Sequence, residues 1–64
     1  MGERTYTITV TLPAHEAWAL TELCKRIGFG DCRSNAIDDS EAYNMLYAME
    51  HVRQALAQQG VVTR

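Results

Sequence analysis

The chain has 64 residues, a net charge of −2 and two cysteines. This length predicts one small domain, residues 1–64, which buries only about 60% of the surface that its unfolded chain exposes. Two cysteines are too few for a fold stabilised by disulfides, so we expect reduced thiols. The sequence has neither the regions of a signal peptide nor an apolar run long enough to cross a membrane. It therefore predicts a soluble cytoplasmic protein.

The first predicted element is a β-strand over residues 5–12. Hydroxyl and large apolar residues alternate along this stretch, and Pro13 ends it. We expect its apolar face to pack on the helices that follow. That face consists of Tyr6, Ile8, Val10 and Leu12. A lone strand has two open edges, so it needs a pairing partner. A second copy, another protein and the strand-like C-terminal residues 61–64 all stay open as partners.

A first main helix is predicted over residues 14–27. Pro13 suits the first turn of a helix, and Gly28 suits the end. The apolar residues in this stretch follow the helical period. They are Ala17, Leu20, Leu23, Cys24 and Ile27. Trp18 lies on the opposite side, where it either closes a second core face or contacts a partner. Residues 28–38 predict a loop or one short helical turn.

A second main helix is predicted from Asp38 to about Gln59. Asp38 and Glu41 have the spacing of a capping box, and Gly60 marks the end of the helix. One apolar face is clear. It contains Ala42, Met45, Leu46, Met49, Val52 and Leu56. The predicted fold class is therefore α+β, with one N-terminal strand, two main helices, a short helical turn between them and a short C-terminal strand.

No residue pattern in the chain indicates catalysis, a metal or a cofactor. His15 and His51 have neither metal-ligand nor nucleophile–base spacing, and we expect both on the surface. Cys24 falls on the apolar face of the first helix and is predicted to lie in the core. Cys32 lies in the predicted loop, where it is open to solvent, but no activating motif surrounds it. We therefore expect a protein that is not an enzyme.

Seven residues around the second helix are predicted to bind a partner. Residues 28–50 carry five carboxylates against Arg33 alone, and Tyr43 and Tyr47 point away from the core face. The two tyrosines have two interpretations. Either the protein itself or a dimer mate covers them, or they form an exposed binding patch. The carboxylates also have two interpretations. Either they cap helices on a solvated face, or they form an acidic surface that fits a cationic groove of a partner. The predicted set is Asp31, Asp38, Asp39, Glu41, Tyr43, Tyr47 and Glu50.

The order strand, helix, helix resembles the ribbon-helix-helix repressors, and Ile8-Thr9-Val10-Thr11-Leu12-Pro13 looks like the opening of that family. The resemblance implies a dimeric transcriptional regulator whose paired strands enter the DNA major groove. Here the threonine face of the strand has no Arg, Lys, Asn or Gln for bidentate contacts with bases. Acidic residues 38–41 also occupy the helix start that holds a DNA phosphate in that family. DNA binding is therefore the alternative function.

A second resemblance extends over most of the chain. It rests on residues 8–13, 23–31, 36–43 and 53–57. These stretches are similar to small proteins of phages and bacterial mobile elements, and to the anti-CRISPR inhibitors of type I surveillance complexes. The resemblance implies a non-enzymatic inhibitor, monomeric or homodimeric, that acts in the cytoplasm of a bacterial host. It would bind a Cas subunit and block DNA binding by presenting an acidic, DNA-mimicking surface, without contacting nucleic acid or membrane.

Overall fold

The structure, a computed structural model, describes residues 4–62. An N-terminal segment without regular secondary structure is followed by three helices, α1 Ala14–Arg26, α2 Phe29–Ser34 and α3 Asp39–Gln58. α1 and α2 both pack on α3. No residue between 4 and 62 belongs to a β-strand, so the predicted α+β class is wrong and the described chain is all-helical. None of these helices is both long and apolar enough to cross a membrane.

Residues 4–12, here called the N-terminal arm, do not form the predicted strand. Their backbone groups make no hydrogen bond with any other described residue. The exposed fractions of Tyr6, Ile8 and Val10 are 80%, 77% and 66%, so the expected packing of this face on the helices is also wrong. A strand requires a hydrogen-bonded neighbour, and the described chain supplies none.

The predicted C-terminal strand is replaced by the end of α3. The Val61 amide donates to the Leu56 carbonyl at 3.0 Å, and the Gly60 amide donates to the Ala57 carbonyl at 3.0 Å. Gly60 has a positive φ of 87°. These two bonds and the left-handed glycine form a Schellman motif, which satisfies carbonyls at the helix end. The prediction for Thr63 and Arg64 lies outside the described residues.

α1 matches its predicted bounds to within one residue, but its buried face is shifted. Thr21 is fully buried on this face, together with Ala17 and Cys24, whereas Leu23 is 52% exposed. The Cys24 thiol lies 3.9 Å from the Met49 sulfur of α3. The small residues on α1 therefore form the contact with α3, and the bulkier leucine does not.

α2 takes the place of the predicted loop or single turn. It starts where the Gly28 amide donates to the Asp31 carboxylate at 3.0 Å. Cys32 is only 3% exposed, which contradicts its expected position in an open loop. Both cysteines are free thiols. Burial in a short helix thus makes Cys32 a second small core residue beside α3.

α3 begins and ends as the sequence predicts. Asp38 is the N-cap and accepts from the Glu41 amide at 2.8 Å, while the Glu41 carboxylate accepts from the Ile37 amide at 3.1 Å. In a standard capping box the glutamate accepts from the N-cap amide, whereas Glu41 accepts from the amide one residue before the N-cap. On the apolar face only Ala42 is fully buried; the other members are half-buried. The largest side chain with full burial in residues 4–62 is that of Thr21, so the helical core is thin.

Candidate partner-binding surface

Three exposed aromatic rings lie in a row where α2 meets α3. The ring centroids of Phe29 and Tyr43 are 4.7 Å apart, and those of Tyr43 and Tyr47 are 6.3 Å apart. Their exposed fractions are 36%, 47% and 59% respectively. The prediction that both tyrosines face outward is confirmed. We call these three residues the aromatic row.

The helices explain how the row is assembled. Tyr43 and Tyr47 are four residues apart on α3, so they lie one turn from each other on the same side. Phe29 stands in the first turn of α2 and reaches the row because α2 packs on α3. The sequence offered no signal for Phe29, since its place depends on the fold of residues 28–38. Trp18, 45% exposed, is on α1 and is not part of the row.

A groove of about 360 Å³ continues from the row between α1 and α3. Its walls come from the end of α1 and the middle of α3. They are formed by Cys24, Lys25, Ile27, Leu46, Tyr47, Glu50 and Arg53. Tyr47 belongs to both the row and the groove, so the two features form one continuous surface.

Glu50 and Arg53 form an ion pair on the α3 wall of this groove. Arg53 donates from Nη2 to Oε1 at 2.7 Å and from Nε to Oε2 at 3.2 Å. The hydrogen bonds from Arg53 lower the pKa of Glu50, and the same contact raises the pKa of Arg53. The planar guanidinium therefore holds the predicted site residue Glu50 in a fixed orientation.

Three of the predicted carboxylates have capping roles at helix starts. Asp31 accepts from an amide at the start of α2, and Asp38 and Glu41 accept from amides at the start of α3. An amide is a neutral donor, so each of these side chains keeps its negative charge. The positive ends of the helix dipoles offset part of that charge.

The fourth carboxylate in this region, Asp39, is paired with an arginine. Arg33 donates to it at 2.7 Å and also donates to the Ala36 carbonyl at 3.1 Å. Asp39 and Glu50 are thus neutralised by neighbouring arginines. The negative charge in this region that no arginine offsets comes from Asp31, Asp38 and Glu41 at the helix starts, here called the acidic edge.

The residues that could support chemistry are not arranged for it. Burial raises the pKa of the Cys24 thiol, which disfavours the nucleophilic thiolate. His15 and His51 are both exposed, as expected from the sequence. Within residues 4–62, no three His, Cys, Asp or Glu side chains are grouped so that they could hold a metal ion.

Comparison with known proteins places the chain in one group. No curated protein and no solved structure matches it. It matches a family of unknown function, DUF7706, over residues 1–64, and the chain therefore belongs to that family.

Proposed function

We propose that this chain is a non-enzymatic protein that binds another protein through the aromatic row and the adjoining groove. The observation that carries the proposal is the row itself, in which the Tyr43 ring lies between those of Phe29 and Tyr47 while all three are 36% to 59% exposed. Phenylalanine and tyrosine supply much of the energy in protein interfaces, because they bury a large area at a low cost in side-chain entropy. Rings held against one another lose even less freedom when a partner covers them.

The acidic edge favours a partner surface lined with Lys and Arg. Asp31, Asp38 and Glu41 contact backbone amides at the helix starts, whereas Asp39 and Glu50 are paired with arginines. Complementary potentials raise the rate of association and exclude wrong partners. The surfaces that hold nucleic acid are of this cationic kind.

We propose that the partner is the DNA-binding surface of a type I CRISPR surveillance complex. This step rests on the resemblance in sequence, and the acidic edge is compatible with it. The protein would then act in the cytoplasm of a bacterial host as an inhibitor that excludes target DNA. The rings supply most of the binding energy, and the unpaired carboxylates steer the encounter.

The test is competition for a purified type I surveillance complex between this protein and labelled target DNA. We expect the parent protein to displace the DNA, and Tyr47→Ala to weaken binding by about tenfold or more. Gln58→Ala is the control, since Gln58 is also exposed on α3 but lies about 16 Å along the helix axis from Tyr47. If the parent protein does not bind the complex, the inhibitor proposal fails. If Gln58→Ala weakens binding as much as Tyr47→Ala, the row is not the contact.

A second candidate, a dimeric DNA-binding regulator, is favoured by one observation. The N-terminal arm is exposed and carries a hydroxyl at every second position, Thr5, Thr7, Thr9 and Thr11. Paired arms of this kind fit a DNA major groove. A mobility shift of a DNA fragment by the protein alone, weakening steeply with added salt, would favour this candidate over the inhibitor.

A further inference from the structure

A second hollow, of about 170 Å³, lies between the middle of α1 and the C-terminal end of α3. It is distinct from the groove described above, although Arg53 lines both. Its walls are formed by Thr21, Arg53, Gln54, Ala57, Val61 and Val62. Sites for drug-sized ligands have volumes of about 300–1,000 Å³, whereas an apolar cavity of about 150 Å³ holds one benzene molecule. The hollow therefore fits a ligand of about one ring or a short chain.

The wall contributed by α1 contains a polar group that lacks a partner. Thr21 is fully buried, and its hydroxyl makes no hydrogen bond. A buried hydroxyl without a partner destabilises a fold, and a bound molecule that accepts its hydrogen bond removes this cost. Because the hydroxyl is covered in the free chain, a ligand reaches it through a shift of the neighbouring side chains. Thr21 thus indicates a ligand with a hydrogen-bond acceptor.

Arg53 supplies further donors at the same hollow. Its Nε and Nη2 atoms donate to Glu50 at 3.2 and 2.7 Å, whereas its Nη1 atom donates to no described residue. Glu50 lines the groove but not the hollow, and no other acidic residue among residues 4–62 lines the hollow. A guanidinium has donors only, and its strongest hydrogen bonds are those with anionic oxygens. The acceptor that fits best beside Arg53 is therefore an anion.

Most of the remaining wall is apolar. Apart from Gln54, it consists of methyl groups from Ala57, Val61 and Val62. Free carbonyls at a helix end disfavour an anion, but those at the end of α3 accept amides in the Schellman motif, including the Val61 amide at 3.0 Å. The hollow thus combines hydrogen-bond donors with methyl groups.

We propose that this hollow binds a small carboxylate with an apolar body, such as an aromatic or short-chain carboxylic acid. The carboxylate accepts hydrogen bonds from Arg53 Nη1 and from the Thr21 hydroxyl. The apolar body packs on Ala57, Val61 and Val62. The inference uses neither the aromatic row nor a partner protein, so it is independent of the proposed function.

The test is an NMR titration of the isotopically labelled full chain with benzoate at constant ionic strength. We expect the signals of Ala57, Val61 and Val62 to shift and saturate, with a Kd of about a millimolar. Benzamide has a similar shape without the charge, and acetate has the charge without the ring. Each should bind at least about fivefold more weakly than benzoate, because each lacks one half of the recognised chemistry.

Two variants test the two donors. Arg53→Gln should weaken benzoate binding at least about fivefold, because it removes the cation at the hollow. Arg26→Gln is the matched control, since Arg26 is also paired with a glutamate of its own helix, Glu22, but does not line the hollow. It should leave the Kd within about twofold of the parent value. Thr21→Val keeps the shape of the wall, loses the hydroxyl, and should weaken benzoate binding without lowering the melting temperature.

Several outcomes would overturn the site. Benzoate that causes no saturable shifts up to about 20 mM does not bind there. Equal binding of benzamide would exclude recognition of the carboxylate, and equal weakening by Arg26→Gln and Arg53→Gln would indicate attraction by net charge alone. Shifts confined to Leu46 and Tyr47 would place benzoate in the groove instead. If Arg53→Gln disturbs the fold, Thr21→Val and the comparison of the three probes still decide. Every readout uses the chain alone, so failure here leaves the proposed function standing.

Discussion

Arg53 holds Glu50 with two hydrogen bonds, of 2.7 and 3.2 Å, three residues apart on α3. These bonds favour the carboxylate and lower the pKa of Glu50 from its ordinary value. A depressed carboxyl pKa adds stability above the pKa of the unfolded chain, and that contribution is lost as the pH falls through the folded value. Glu50 therefore stays ionised, and paired with Arg53, to a lower pH than an ordinary glutamate would.

The first prediction concerns this pKa. A carboxyl-detected NMR titration should give Glu50 a pKa below that of an ordinary glutamate, and Arg53→Gln should bring it back towards the ordinary value. Arg53→Lys is the control, because it keeps the charge but loses the planar two-bond contact, so its effect should be intermediate. A Glu50 pKa that is the same in the parent protein and in Arg53→Gln would contradict the pairing.

The second prediction compares two glycines. Gly60 has a φ of 87°, so Gly60→Ala forces a side chain into the left-handed region and should destabilise the fold by about 1–2 kcal/mol. Gly30 lies inside α2, and a Cβ added there meets nothing within 4 Å. Gly30→Ala should therefore stabilise the fold by about 0.5–1 kcal/mol. Urea denaturation measures both changes, and shifts of the same sign would contradict the assigned conformations.

The ends of the helices show which features could be predicted from the sequence. Gly60, Asp38 and Pro13 are local signals, because caps and stops act within one turn, and they placed the bounds of α1 and α3 correctly. The outward position of Tyr43 and Tyr47 followed in the same way from the helical period. The short helix α2 was harder to predict, because its short polar side chains compete with the helix for backbone hydrogen bonds. Its buried Cys32 and its contribution of Phe29 to the row depend on packing against α3.

The N-terminal arm shows what the alternating sequence pattern could not predict. Alternation of threonine with large apolar residues predicted a strand, but a strand needs a neighbour to pair with and to pack on, and the described chain provides neither. The predicted contact of Tyr6, Ile8 and Val10 with the helices assumed that one chain contains its whole core. Likewise, the sequence spacing identified Asp38 and Glu41 as capping residues, but the acidic pattern did not reveal that Asp39 is paired with Arg33.

The third prediction concerns Thr21, whose hydroxyl is fully buried and has no hydrogen-bond partner. Thr21→Val replaces that hydroxyl with a methyl group of similar size and should stabilise the fold by about 1 kcal/mol. Thr21→Ser keeps the hydroxyl but removes the methyl group, so it should destabilise the fold. Thermal unfolding at one fixed protein concentration measures both, and a destabilised Thr21→Val would mean that the hydroxyl has a partner.

The fourth prediction separates the charge of the acidic edge from its capping role. Asparagine caps a helix about as well as aspartate, so Asp38→Asn with Glu41→Gln should alter stability by less than about 1 kcal/mol. Asp38→Ala removes the acceptor and should cost about 1 kcal/mol. If the carboxylates steer the proposed encounter, the double variant should bind a type I complex more slowly at low salt, with a smaller difference at high salt. Unchanged association rates would remove the acidic edge from the proposal.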